Sequence, residues 1–219
     1  MEQLKNEKNA GIVLDIIEAI HENAGYLSEV DGATGDGDHG INMNKGFLMA
    51  KDRIDVDMSF SDALKILGRT LVMDIGGSMG PIYGTLFSRM AKVIRKNDII
   101  DKYVFAQALD SATEGLMDLA GAKLGDKTLI DTIYPAKEAF RSAANQNKSF
   151  VECLNALSEA AEEGKENTKN MVAKVGRAAR LGERSKGFLD AGATSCCIIL
   201  KMMASSITER LNKTDQISK

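Results

Sequence analysis

"SFSDALKILGRTLVMDIGGSMGPIYGTLFSRMAKVIRK", residues 59–96, sets two helical runs on either side of a glycine cluster. Ser61 is a plausible N-cap for the first run, which stops at Gly76. Pro81 suits the first position of the second, where its missing N–H would have had no intrahelical acceptor. The same plan extends outward in both directions. "NAGIVLDIIEAIHENA", 9–24, places Ile12, Ile16, Ile17 and Ile20 on one helical face. Further helices are predicted after Asn42, over 103–120, 128–145 and 150–173, and from "GATSCCIILKMMASSITERL" to residue 212. That makes roughly eight helices. With two prolines, no tryptophan and no period-2 strands, the chain reads as a single all-α domain, 1–219, whose neighbouring helices pack antiparallel.

Composition bounds the function. A length of 219 residues supports one sizeable core. The formal net charge of −3 gives no global field for nucleic acid or an anionic membrane, so neither is expected as a partner. Cys153, Cys196 and Cys197 read as buried thiols, two of them adjacent in an apolar run. The start, "MEQLKNEKNAG", lacks the apolar stretch of a signal peptide, and the best apolar run, "CCIILKMMA", is broken by Lys201. A cytoplasmic location is the default expectation.

The breaks between helices are richer in glycine than helix bundles require. They read "DGATGDGDHG", "GGSMGPIYG", "AGAKLGDKT", "GRAARLGERSKG" and "DAGATS", and they suggest one shared site at one end of the bundle. Glycine lets backbone N–H groups approach a ligand, and helix N-termini favour anions. Asp31, Asp36 and Asp38 form a D-x4-D-x-D cluster suited to a hard, oxygen-seeking cation such as Mg²⁺ or Ca²⁺. An EF-hand is excluded because Phe47 stands where the twelfth-position acid belongs, counting from Asp36. Helix capping by Asp38 would explain one aspartate, not three. His39 and Asn42 sit at the following helix start, placed to meet a phosphate.

"GAKLGDKT" is not a P-loop, since Asp126 separates the second glycine from Lys127, and "GGSMGPIYG" is not a Rossmann fingerprint. Arg177, Arg180 and Arg184 offer either a solvated basic face or phosphate contacts. Asp190 either caps the last helix or touches a ligand. Together these residues describe a divalent cation with a phosphate-bearing ligand in a helical frame.

The same five motifs, in this order and at these spacings, resemble the nucleotide-binding L subunits of bacterial dihydroxyacetone kinases over about residues 10–210. "GDGDHGINMNKGF" and "GRAARLGERS" are the specific ones. The resemblance implies an antiparallel eight-helix barrel whose loops hold ADP or ATP through two Mg²⁺ ions. It implies Asp31, Asp36 and Asp38 as metal ligands, and His39, Gly40, Ile41 and Asn42 around the phosphates. Ser78 and Met79 would contact the nucleotide, Gly121 (or Ala120) and Leu129 would line the adenine side, and Arg177, Asp190, Ala191 and Gly192 would complete the pocket. Three positions depart from the family pattern: Met79 replaces a Ser or Thr, Phe188 a histidine and Ala191 a proline.

The resemblance also implies a division of labour. A partner subunit K holds dihydroxyacetone and a phosphocarrier subunit M rephosphorylates bound ADP, so this chain supplies no catalytic side chain. Two rival readings stand beside it. One is a paralogue acting on another short ketose directly with ATP; the other is an ADP-bound regulator docking on a transcription factor. The related domain of fatty acid kinases fits less well, having threonine where this chain has His39.

Overall fold

Three side chains start three of the helices. Ser59 accepts from the Asp62 N–H, Asp101 from the N–H groups of Tyr103 and Val104, and Ser149 from that of Glu152, whose carboxylate returns to the Ser149 N–H. Each satisfies donors that a helix N-terminus leaves without partners. The computed structural model describes residues 2–217, so residues 1, 218 and 219 of the expected domain lie outside it. Its helices are α1 (Gly11–Glu22), α2 (Ala24–Gly32), α3 (His39–Lys51), α4 (Phe60–Asp74), α5 (Met79–Ile94), α6 (Lys102–Ala120), α7 (Ile130–Asn145), α8 (Phe150–Asn167) and α9 (Ala191–Ile217). Short 3-10 segments occupy Thr168–Asn170 and Arg177–Ser185, the latter kinked at Gly182.

Each helix packs on its successor from α3 to α9, α1 packs on α3, and α9 returns to α1. The ring therefore closes, with α2 prolonging α1 and lying against α3 and α9. Successive connections alternate between two ends. The loops after α2, α4, α6 and α8 converge on one cavity. At the other end the segment before α1 bonds to the remaining connections, through Asn6 N–H to the Asp98 carbonyl (2.8 Å), Phe60 N–H to the Asn6 carbonyl (2.8 Å) and Ala10 N–H to the Met58 carbonyl (3.1 Å). Connections that alternate in this way make neighbouring helices antiparallel, as the all-α reading expects.

The core follows the apolar periodicity. Phe105, Phe140 and Phe150 meet with ring centroids 5.3, 5.8 and 6.0 Å apart, binding α6, α7 and α8 together. The segment Ala191–Lys213 of α9 is apolar and long enough to span a bilayer by composition, yet 67% of its most apolar 18-residue stretch is buried, as a core helix requires. All three cysteines are free and buried, and burial pushes the Cys197 thiol up to about 12, which keeps it unreactive.

Several boundaries differ from the sequence reading. The first helical run does not end near residue 24 but turns at Asn23 (φ −97°, ψ 6°) into α2, so the described residues hold nine α-helices. Only Leu27 of α2 is buried, which is why this helix carries no apolar period. Ser59, not Ser61, caps α4. Helix α5 starts two residues ahead of Pro81, still within the first turn where proline costs no hydrogen bond. Helix α8 ends at Asn167, well short of residue 173. A two-residue antiparallel pair, β1 (Leu4–Lys5) with β2 (Ile99–Ile100), is too short to register as alternation.

Phe140→Ala empties the centre of the aromatic triangle and is expected to cost about 3–5 kcal/mol of stability, read from the midpoint of a denaturant melt.

Candidate functional site

The loop Ala33–Asp38 folds back on the end of α2 because its glycines permit it. A Cβ on Gly35 would stand 2.5 Å from Asp31 Oδ1, and Gly37 takes a left-handed φ of +75°. Asp31 is not in the loop, as its sequence neighbourhood suggests, but in the last turn of α2, half-buried. The Gly35 and Thr34 N–H groups close on its carbonyl (2.6 and 3.0 Å), and the His39 N–H reaches Oδ2 (3.4 Å). Carboxylate oxygens of Asp31, Asp36 and Asp38 thereby come within 4.8 Å of one another. Asp38 is the N-cap residue of α3, yet its side chain makes no capping bond, so capping does not account for it. Phe47, at the position an EF-hand would need for its acid, is fully buried in the core.

Like charges this close repel. From the far side of the sequence, the guanidinium of Arg177 bonds Asp36 directly and lies 3.9 Å from Asp38 Oδ1. Three hard oxygen donors, with one positive charge already drawn onto them, match the demands of Mg²⁺.

These groups line one end of a cavity of about 580 Å³, within the usual range for small-molecule sites. The ring order puts α6 and α7 across from α2 and α3, and there the lining turns apolar, with Leu119, Ala120, Ala122 and Leu129. Between the two lie Ser78 and Met79 at the start of α5, Asn42 on α3, and Asp190, Ala191 and Gly192 at the start of α9. Among the family-implied residues, Gly40, Ile41 and Gly121 do not line it. Ile41 is 66% exposed. Gly40 instead packs α3 onto α2, where a Cβ would meet the Ala24 carbonyl at 1.9 Å. Ala120 takes the place next to Gly121.

The helix N-termini differ between the two ends. At the closed end α4, α6 and α8 are capped by their own side chains. At the cavity, α3 and α5 begin with no side-chain cap, at Asp38 and Ser78. The His39 N–H of α3 is drawn to Asp31 Oδ2, but no N-cap side chain takes the other N–H groups of these first turns, which suits an anion. Helices α7 and α9 are exceptions, because Thr128 Oγ1 accepts from the Ile130 N–H (3.1 Å) and Asp190 Oδ2 from the Ala193 N–H (2.7 Å). Burial raises the Asp190 carboxyl to about 6, against the pull of that bond and of Lys127.

Several participants were not singled out in the sequence. Ser195 Oγ donates to the Ala191 carbonyl (3.0 Å) and lies 2.8 Å from His39 Nε2 and 2.5 Å from the Tyr83 hydroxyl, which also reaches the Gly192 carbonyl (3.2 Å). Burial lowers the His39 pKa, opposed by Asp31, which favours the neutral ring. Tyr83 and Ser195 sit inside the quoted glycine motifs, but nothing local in them points at His39. Asp131, buried in the first turn of α7, accepts from Gly125 N–H (2.6 Å) and Thr128 N–H (2.8 Å) and fixes the 125–128 turn. Arg180 and Arg184 do not line the cavity.

A protein-family model described as the DAK2 domain matches residues 33–205. The chain is 37% identical over 188 residues to "PEP-dependent dihydroxyacetone kinase, ADP-binding subunit DhaL" of Escherichia coli, covering 84% of this chain and 89% of that protein. It is 31% identical over 195 residues to a D-erythrulose kinase of Mycolicibacterium smegmatis, covering 87% of this chain but 34% of that longer protein. A crystal structure of the dihydroxyacetone kinase of C. freundii with AMP-PNP and Mg²⁺ superposes with a TM-score of 0.67 at 23% identity, over 90% of this chain and 33% of that one, a likeness of fold.

Two outcomes follow from the geometry. Gly40→Ala must push the start of α3 off α2 and is expected to destabilise by about 1–3 kcal/mol, even after the gain in helix propensity, as measured by thermal melting. The folded protein holds the Asp190 proton to about pH 6, whereas the unfolded chain releases it near 3.8. Stability of the ligand-free protein should therefore fall as pH rises through that window, by at most about 3 kcal/mol. Asp190→Asn keeps a capping oxygen and should flatten that part of the pH–stability curve; an unchanged slope would refute the assignment.

Proposed function

This chain belongs to the DAK2 domain family, and from that membership we propose that it is the nucleotide-binding subunit of a cytoplasmic dihydroxyacetone kinase. In this reading Asp31, Asp36 and Asp38 hold two Mg²⁺ ions that bind ADP or ATP, and the phosphoryl group passes to dihydroxyacetone on a partner subunit K. A phosphocarrier subunit M then restores ATP from ADP in place. The observation that carries the proposal is the meeting, in one cavity, of three carboxylates with the uncapped N-termini of α3 and α5. The first favours cations and the second favours anions, so the pair suits a metal-bridged phosphate chain.

The residues divide the work. His39, Asn42, Ser78 and Met79 would surround the phosphates, Leu129 and Ala120 would face the base, and Arg177 would exchange its bond to Asp36 for a phosphate oxygen once cations neutralise the carboxylates. Gly40 and Ile41 would contribute backbone alone, and Gly121 would act through its neighbour. Asp190, Ala191 and Gly192 would complete the wall. Bound Mg²⁺ would supply charge neutralisation on the transferring oxygens. No side chain of this chain needs to act as a base, because phosphoryl transfer depends chiefly on positioning and electrostatics. Ile41, Met73, Leu119, Leu124 and Phe188 are exposed large apolar residues on the elements that end or begin at the cavity end, which supports a partner docking there.

A second reading, a paralogue serving another short ketose with ATP as direct donor, is favoured by the altered rim at Met79, Phe188 and Ala191 and by the likeness to an erythrulose kinase. An ADP-bound regulator of a transcription factor would use the same pocket without transfer.

With purified K and M subunits and a phosphoenolpyruvate-driven donor, the protein should phosphorylate dihydroxyacetone. Asp36→Asn is expected to lower nucleotide retention and transfer by about 100-fold or more, with the helical circular dichroism unchanged. Normal activity in that variant would overturn the metal assignment. Transfer from ATP without M would favour the second reading.

A further inference from the structure

Lys127 is the residue that makes "GAKLGDKT" look like a phosphate-binding loop, but its ammonium is turned away from that role. It is 1% exposed and donates to the backbone carbonyls of Ser185 (2.6 Å), Phe188 (2.7 Å) and Thr168 (2.9 Å), with Met171 at 3.3 Å. An ammonium has three protons, so the three short contacts satisfy it and the fourth carbonyl completes the shell. Four carbonyl oxygens at these distances form the kind of shell with which protein backbones replace the hydration of K⁺.

The four carbonyls belong to the two limbs of one excursion. Thr168 and Met171 lie where the chain leaves α8, and Ser185 and Phe188 where it returns toward α9. The limbs are also stitched by the Gly187 N–H to the Lys169 carbonyl (2.7 Å) and the Ala173 N–H to Ser185 Oγ (2.9 Å). Between them stands Arg177, bonded to Asp36. The lysine's own backbone is held at a left-handed φ of +63°, rare for a residue with a side chain, by the turn that Asp131 braces. Such a conformation persists only where the surroundings enforce it, and here it aims the side chain between the two limbs.

We propose that Lys127 is a positioning residue, a built-in monovalent cation that gathers four backbone carbonyls so that the Arg177 segment is held over the carboxylates in the form that receives the metal–nucleotide. Lys127 is among the residues that line the cavity, but its ammonium is taken up by the carbonyl shell, and it acts through that segment rather than by a bond to the ligand. The inference rests on the nucleotide reading of the cavity for its consequence, but the carbonyl shell can be tested without any nucleotide.

Lys127→Ala leaves buried acceptors that a free ion of the right size can fill. The thermal melt of Lys127→Ala, compared in potassium, ammonium, sodium and tetramethylammonium chloride at equal ionic strength, is the first readout. Potassium and ammonium should raise the midpoint relative to sodium and tetramethylammonium, while the wild type stays indifferent. Mg-ADP affinity is the second readout. It should fall about tenfold or more in sodium and recover in potassium or ammonium. If the variant does not fold in sodium, recovery of helical signal on refolding in potassium or ammonium replaces the melt.

Equal behaviour of the variant in all four salts would overturn the proposal, as would failure to refold in every one of them. A loss of Mg-ADP affinity that no ion restores, with a melt unchanged from wild type, would assign Lys127 to direct phosphate contact instead. A wild type that binds no Mg-ADP would sink the nucleotide reading alone, leaving the ion-selective melt to decide the shell.

Discussion

Three carboxylates held within 4.8 Å of one another are the constraint around which the open end of the barrel is built. Their repulsion must be offset from outside the loop that carries them, and the fold supplies the first part of the offset by bringing Arg177 across 141 positions of sequence to Asp36. Gly35 leaves room for the Asp31 side chain, and Gly40 lets α3 begin directly against α2. The arrangement is unfavourable on its own, a pattern common where a sequence violates local rules for function.

The two ends of the helices differ in the same spirit. At the end away from the cavity, Ser59, Asp101 and Ser149 close three of the four helix starts with their own oxygens, α1 alone beginning at Ala10 without one. Where the cavity opens, α3 and α5 go without, although a side-chain cap is worth about 1 kcal/mol. The capped starts and the Phe105–Phe140–Phe150 cluster both lie at the end away from the cavity.

Residue type alone misleads at the 120–128 loop. A lysine and a threonine after glycines suggest a phosphate cradle, yet Lys127 faces backbone carbonyls and its pKa is lowered by burial rather than by any neighbouring cation. The loop serves as a brace between α7, through Asp131, and the segment that carries Arg177. Tyr83 and Ser195 act in a comparable way on His39, Ser195 bonding its Nε2 and Tyr83 bonding Ser195.

The sequence by itself determined what depends on short-range periodicity and local chemistry. The apolar stripes of α1 and the long helices that follow, the glycine breaks, and the carboxylate cluster of Asp31, Asp36 and Asp38 were all legible, because helical spacing and carboxylate density are local properties. It did not reveal α2, which buries only Leu27, nor the β1–β2 pair, which is two residues long on each side. Tertiary structure alone decided the outward turn of Ile41, the packing role of Gly40, the inward turn of Lys127 and the contact of His39 with Ser195, 156 residues away. Those facts follow from ring closure, which brings α9 back to α1 and sets the starts of α3, α5 and α9 around one cavity. No window of neighbouring residues contains that closure, because the free energy that enforces it lies in apolar surface buried between helices remote in the chain.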